Sequence, residues 1–234
     1  MTLPPAILFD LDDTILDTTD SSTRVWRSTA ARFAREVGRP PHEINTALDQ
    51  VREAYWADPD RNKAGRLDLF NARTEVVYQA FQALDKDDRD LADRFAHDYT
   101  RHRVDAMQPF PGAIQTIQTL KHKGIKLGLL SNGHGSTQRE KVTRFGLEAL
   151  FDVVLIEGEF GIGKPDPRIF EHALEVLQVQ AQQTWMVGDN LEWEVQAPQQ
   201  LGMRGIWVDW ANKGLPDDSP YQPDRIIRSL AELI

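Results

Sequence analysis

Cysteine is absent from the 234 residues, which excludes disulfides and thiolate metal sites and fits a reducing compartment. Basic charge is in deficit: 27 Lys and Arg stand against 36 Asp and Glu, a net charge of −9. A nonspecific nucleic-acid binder needs a basic surface, so that class is disfavoured, while a local basic pocket for an anionic metabolite stays open. Long hydrophobic runs are also missing. None approaches the roughly 18 apolar residues of a membrane span. The start, Met1-Thr2-Leu3-Pro4-Pro5, lacks the basic flank and small-residue cleavage site of a signal peptide, so a cytoplasmic setting is expected. Repeats and low-complexity tracts are absent too. What is present is ordinary for a folded protein, 41% hydrophobic and 27% charged, with length for one large domain or for a domain carrying a substantial insertion.

The pattern along the chain favours the insertion. Ala6-Ile7-Leu8-Phe9 reads as a buried strand. From about Asp20 to Met107 the periodicity is helical throughout, with stripes at Trp26, Ala30, Phe33 and Val37, at Ile44, Ala47, Leu48, Val51 and Tyr55, at Phe70, Thr74, Val77, Phe81 and Leu84, and at Leu91, Phe95 and Tyr99. These stripes are read as the packing of a small bundle, with Asp58 to Arg66 as a loop whose Arg61, Lys63 and Arg66 are solvated. After Phe110-Pro111-Gly112 helix and strand alternate. Strands are expected over Ile125–Leu130, Val153–Ile156, Thr184–Val187 and Gly205–Val208, and a Pro- and Asp-rich loop, Ala211 to Asp224, precedes a short C-terminal helix. The expected fold class is α/β, a doubly wound parallel sheet with right-handed crossovers and an inserted all-helical domain. Residues 1–17 and 108–234 form the sheet domain, and residues 18–107 the helical one.

The strand ends carry the chemistry. Asp10-Leu11-Asp12-Asp13-Thr14 follows the first strand, where ligands gather in open α/β sheets. A carboxylate cluster there costs desolvation energy unless a cation joins it, and Mg²⁺ takes one or two carboxylates plus water and phosphate oxygens. Alone, the run could be a turn capping a helix that begins near Thr14. Ser131-Asn132-Gly133 offers a hydroxyl, an amide and an unhindered backbone to an anion, but is equally an ordinary turn. Lys164 lies in the constrained loop Gly161–Pro167, with Pro165 restricting its backbone. Gly158 through Lys164 matches G-x-x-x-x-G-K, yet Pro165 stands where a P-loop needs Ser or Thr, so nucleoside triphosphate binding is rejected. Gly188-Asp189-Asn190-Leu191-Glu192-Trp193-Glu194 is a second acidic strand end, with its own capping explanation. Four unrelated caps and turns are a weaker account than one site for phosphoryl transfer, with carboxylates as nucleophile and proton carrier and with Lys and Ser on the remaining oxygens.

These four segments, in order from Asp10 to Glu194, resemble the motifs of the haloacid dehalogenase (HAD) superfamily. The resemblance implies a Rossmann-like core with a helical cap of the phosphoglycolate phosphatase-like branch. It implies Asp10 as the nucleophile that forms an aspartyl-phosphate, Asp12 as general acid/base, Ser131, Asn132 and Lys164 on the substrate phosphate, and Thr14 in support. Asp10, Asp189 and the backbone carbonyl of Asp12 are the implied Mg²⁺ ligands. Glu194 stands where the family usually has Asp, so it is expected to bind the metal through water or to orient a ligand. Asp12 and the metal-site aspartate favour phosphatase over dehalogenase, with a small phosphorylated metabolite as substrate and its choice residing in the cap. A sugar-phosphate mutase shares all four motifs, and a non-catalytic phosphate-binding HAD protein is the other alternative. A receiver domain is disfavoured by length and by the position of its phosphoacceptor. The stretches Ser131–Gly133, Thr137–Lys141 and Gly188–Glu192 look most similar to N-acylneuraminate-9-phosphatase and pyrimidine 5'-nucleotidase relatives. Oligomeric state is not indicated.

Overall fold

In chain order the strands are β1 Ala6–Phe9, β2 Leu16–Asp17, β3 Gln108–Pro109, β4 Lys126–Ser131, β5 Val153–Ile156, β6 Thr184–Gly188, β7 Arg204–Val208 and β8 Arg225–Ile227. The helices are α1 Thr19–Val37, α2 Pro41–Ala57, α3 Pro59–Leu67, α4 Leu69–Gln82, α5 Arg89–Ala106, α6 Ala113–His122, α7 Gly135–Arg144, α8 Glu157–Phe160, α9 Pro167–Leu177 and α10 Ala197–Gln200. The structure is a computed structural model and describes residues 2–234, with the side chain of Arg66 outside the described set. The chain divides into two compact units, Met1–Asp17 with Pro109–Ile234, and Thr18–Gln108.

In the first unit six strands pair in the order β5-β4-β1-β6-β7-β8, all parallel. All four residues of β1 are buried, as a central strand with helices on both faces requires. Leu8 pairs with Gly128 on one side and Met186 on the other. Leu8, Leu130, Leu155 and Met186 pack with Ile169, Phe170, Ala173 and Leu177 of α9 into one apolar cluster. Gly128 makes room there, because a Cβ would lie 2.6 Å from Leu8 Cδ2 and force that buried side chain to shift. The sheet is therefore the doubly wound α/β architecture expected. The C-terminal end adds β8, a three-residue strand inside the segment expected to be loop and helix, and closes with a single 3₁₀ turn at Leu230–Leu233.

In the second unit α1, α2, α4 and α5 pack around Trp26, Phe81, Phe95 and Tyr99. The rings interlock, with Phe81 edge-on to Phe95 at 5.5 Å and Trp26 stacked on Tyr99 at 3.6 Å between centroids. Each sequence stripe supplies a buried face, so the core-packing reading holds. The Asp58 to Arg66 loop does not. Those residues form the N-cap and body of α3, where Pro59 occupies the first turn and Asp58 accepts from the Arg61 N–H at 2.9 Å. A capped, proline-started helix of this kind is stable with few apolar residues, so hydrophobic periodicity misses it.

Candidate active site

Asp10 sits one residue beyond β1, and its N–H donates to Val187 O at 2.9 Å, continuing the ladder. The next residues form no helix cap. Ile15 and Leu16 donate back to Leu11 O, both at 3.0 Å, and Asp13 N–H donates to Leu16 O at 2.8 Å, with Asp13 at φ +57. This tight loop fixes Asp10 and Asp12 on rigid backbone, and the first helix starts only at Thr19.

The loop that follows β5 and α8 delivers Lys164. Asn132 holds it by both backbone groups, donating from Nδ2 to Lys164 O at 2.6 Å and accepting from Lys164 N–H at 2.8 Å. That engagement occupies the amide the sequence offers to an anion. The buried ammonium bridges two carboxylates, reaching Asp10 Oδ1 at 2.5 Å and Glu194 Oε1 at 2.7 Å. Glu194 Oε2 accepts from the Asn190 N–H at 2.8 Å. Glu194 rides on a π-helical turn, Leu191–Gln196, capped by the Asn190 side chain, which accepts from the N–H groups of Glu192 and Trp193 at 3.0 Å each. A π turn carries an extra residue and is frequent at functional sites. Glu194 also passes so close over Gly188 that a Cβ at 188 would overlap its side chain.

Asp12 is held differently. Its carboxylate is one-third exposed, at 33%. It receives Lys141 Nζ on both oxygens at 2.7 Å and Gln138 Nε2 at 2.9 Å. The same Gln138 amide donates to Ser131 Oγ at 2.6 Å. Thr14 Oγ1 reaches Asp189 Oδ1 at 3.4 Å, and Trp207 Nε1 donates to the Asp189 carbonyl at 2.8 Å. The residues that the sequence singles out thus gather at the carboxyl ends of β1, β4 and β6, with Lys164 reaching in from its loop. Lys141 and Gln138 join them with no role foreseen by the sequence, because a lysine on a helix reads as solvated surface. Their sequence signals are the i, i+3 spacing that puts them on one face of α7 and their place in the Thr137–Lys141 stretch, which carries a resemblance but no stated role.

Electrostatically the cluster has too few cations. Burial raises the Asp10 carboxyl, opposed by Lys164 and assisted by Asp12. Burial lifts Glu194 to about 7 against the pull of Lys164, with the Asp10 charge adding to the rise. Asp189 is raised well above its usual range by burial and then by Asp10, Glu194 and Asp13. Burial alone would lower Lys164, but Asp10 and Glu194 outweigh it and hold the ammonium protonated. One lysine cannot neutralise Asp10, Asp189 and Glu194 together. That excess of oxygen donors fits a hard divalent cation, which commonly takes one or two carboxylates. Among the described residues no group of three acidic or imidazole side chains is arranged as a ready-made metal cage.

Residues 4–202 match the family model of haloacid dehalogenase-like hydrolases. The chain is 36% identical to phosphoserine phosphatase of Thermus thermophilus over 77% of its own length and 66% of that protein, a little under two thirds. It is 26% identical to N-acylneuraminate-9-phosphatase of Rattus norvegicus over 97% of this chain and 91% of that one. Its fold is that of the magnesium-bound HAD hydrolase YfnB from Bacillus subtilis, with TM-score 0.76, 21% identity, and coverage of 99% and 97%. The chain belongs to the haloacid dehalogenase-like hydrolase family.

Proposed function

We propose that the protein is a Mg²⁺-dependent phosphatase that hydrolyses small phosphorylated metabolites through an aspartyl-phosphate on Asp10. The observation that carries this reading is the contrast between two carboxylates on one loop, Asp10 buried against Lys164 and Asp12 one-third exposed on Lys141 and Gln138. A buried carboxylate fixed by one ammonium is suited to attack, and a more accessible one to proton exchange. Both kinds of relative, phosphoserine phosphatase and N-acylneuraminate-9-phosphatase, carry phosphatase names, and these support the reaction class without fixing the substrate.

In the first half-reaction an Asp10 oxygen forms a bond to phosphorus as the bond to the leaving oxygen breaks, and Asp12 gives that oxygen its proton. In the second, Asp12 takes a proton from water, whose oxygen attacks phosphorus, and the Asp10–phosphorus bond breaks to release phosphate. Lys164 and Ser131 Oγ hold phosphate oxygens, and Asn132 keeps Lys164 in place. The Asp10 and Asp189 carboxylates and the Asp12 carbonyl would hold Mg²⁺, which would supply neutralisation of the anionic charge that nucleophile and phosphate share. The Glu194 carboxylate lies on Lys164 and an amide, so it acts by orienting Lys164. The two units serve as catalytic core, residues 1–17 and 108–234, and specificity cap, residues 18–107.

The test is turnover of para-nitrophenyl phosphate and a panel of phosphorylated sugars, sugar acids, amino acids and nucleotides. Activity is expected with Mg²⁺, lost on chelation and restored by readdition. No turnover above an Asp10→Asn control on any substrate would sink the proposal.

A further inference from the structure

The helical unit holds a cavity of about 160 Å³ built wholly from its own residues. Its lining includes Trp26, Trp56 and Tyr99 and three arginines, Arg52, Arg73 and Arg103, with no Asp or Glu among them. In a chain of net charge −9, three guanidiniums around one small cavity with no acidic lining residue are an anomaly. The arginines differ in how they are satisfied. Arg52 pairs with Asp49 at 3.1 Å. Half-buried Arg73 donates to the neutral Thr100 hydroxyl at 3.2 Å and lies 5.5 Å from the Tyr99 ring. The Arg103 guanidinium has no hydrogen bond or ion pair among the described residues.

Arg73 and Arg103 are close enough for one charge to oppose the other. Burial and then the Arg103 charge lower the Arg73 guanidinium to about 10, and no carboxylate figures among the groups acting on it. Two like charges beside a partly desolvated cavity, without a counter-ion, cost folding energy unless an anion joins them. The rest of the wall is preorganised and aromatic. Trp26 is 5% exposed and stacked on Tyr99, whose hydroxyl is tied to Ser22 at 2.6 Å. A cavity of about 150 Å³ holds one benzene-sized ring.

From these features we infer that the helical unit carries a binding site for a small planar carboxylate, its oxygens between Arg73 and Arg103 and its flat body against the Trp26 and Trp56 side of the cavity. A single guanidinium can bind a carboxylate through two parallel hydrogen bonds and a second can add its charge, which suits this ligand class. The site goes beyond the phosphatase reading and shares no residue with the Asp10 cluster.

Calorimetric titration of the full chain with benzoate, and with benzamide as its neutral counterpart, tests it without any turnover. Benzoate is expected to bind saturably, and benzamide at least about tenfold more weakly, the scale of a lost charge-assisted hydrogen bond. Arg103→Gln is expected to weaken benzoate by a similar factor while leaving benzamide binding unchanged and the melting temperature of the ligand-free protein no lower, since one of two opposed charges is removed. Equal binding of the two probes to the unmodified protein would overturn the inference. So would benzoate affinity that a folded Arg103→Gln retains. A variant that fails to fold leaves the first comparison decisive.

Discussion

The Lys164 ammonium lies 2.5 Å from Asp10 and 2.7 Å from Glu194, so a single buried cation serves the end of β1 and the π turn after β6 at once. Removing it strands two buried carboxylates. Lys164→Met is therefore expected to lower kcat/KM by at least about 10²-fold, the scale for losing one electrostatic stabiliser. It is also expected to destabilise the fold by about 3–5 kcal/mol, the scale for breaking a buried pair by removing one partner. Urea denaturation alongside steady-state kinetics checks both. A variant with unchanged stability would mean that the carboxylates do not depend on this cation.

Lys141 supplies the corresponding test for Asp12. Its ammonium touches both Asp12 oxygens, and Gln138 links that carboxylate to Ser131. Lys141→Met leaves Asp12 present but unaimed. The expected outcome is a fall in kcat of about 10²-fold, the scale of a small misplacement of a reacting group, with KM little changed. Lys141→Arg should recover part of the loss. If kcat and KM move together, or Arg restores nothing, Lys141 supports the fold and does not position Asp12.

The parts of this site that are legible in sequence are those whose position follows from hydrophobic runs. Asp10, Ser131 and Asp189 each terminate or follow a buried strand, so the Ile/Leu/Val-rich segments by themselves place them at the carboxyl end of the sheet. Lys164 is legible through its Gly/Pro frame. Lys141 and Gln138 are not, because their burial depends on where α7 lands relative to Asp12, and helical spacing cannot distinguish a buried lysine from a solvated one. The helix α3 is hidden for a related reason: its stability rests on Asp58 and Pro59 at its start and not on an apolar stripe. The Arg73 and Arg103 pair escapes notice because the aromatic stripe beside it is equally good core.

Gly158 tests whether α8 needs its close approach to the start of α7. A Cβ there would lie 2.9 Å from Gly133 O and 3.1 Å from Gly135 Cα, and closer still to Gly135 N, all of it backbone. No flexible side chain can yield. Gly158→Ala is expected to cost about 1–3 kcal/mol, the range for overpacking. It should also lower kcat, because Gly135 opens the helix that carries Gln138 and Lys141. Thermal melting and kinetics together check it. An unperturbed Tm would show that the two segments separate freely.

Asp166 gives the acid limb of stability. It caps α9, accepting from the Arg168 N–H at 3.0 Å and the guanidinium at 2.9 Å and 2.6 Å, and these bonds hold its carboxyl at about 2. Unfolding returns it to an ordinary aspartate near 3.8. A depressed native value means that the folded state binds the proton less readily than the unfolded chain. The stabilisation is therefore complete above about pH 4, fades as pH falls towards 2, and is gone below that. Asp166→Asn should lower the urea midpoint at pH 7 and leave the two proteins converging as the pH approaches 2. The difference should be small, since the pair is exposed and screened by water. A midpoint gap that persists undiminished at pH 2 would assign the effect to the geometry of the side chain and not to its charge.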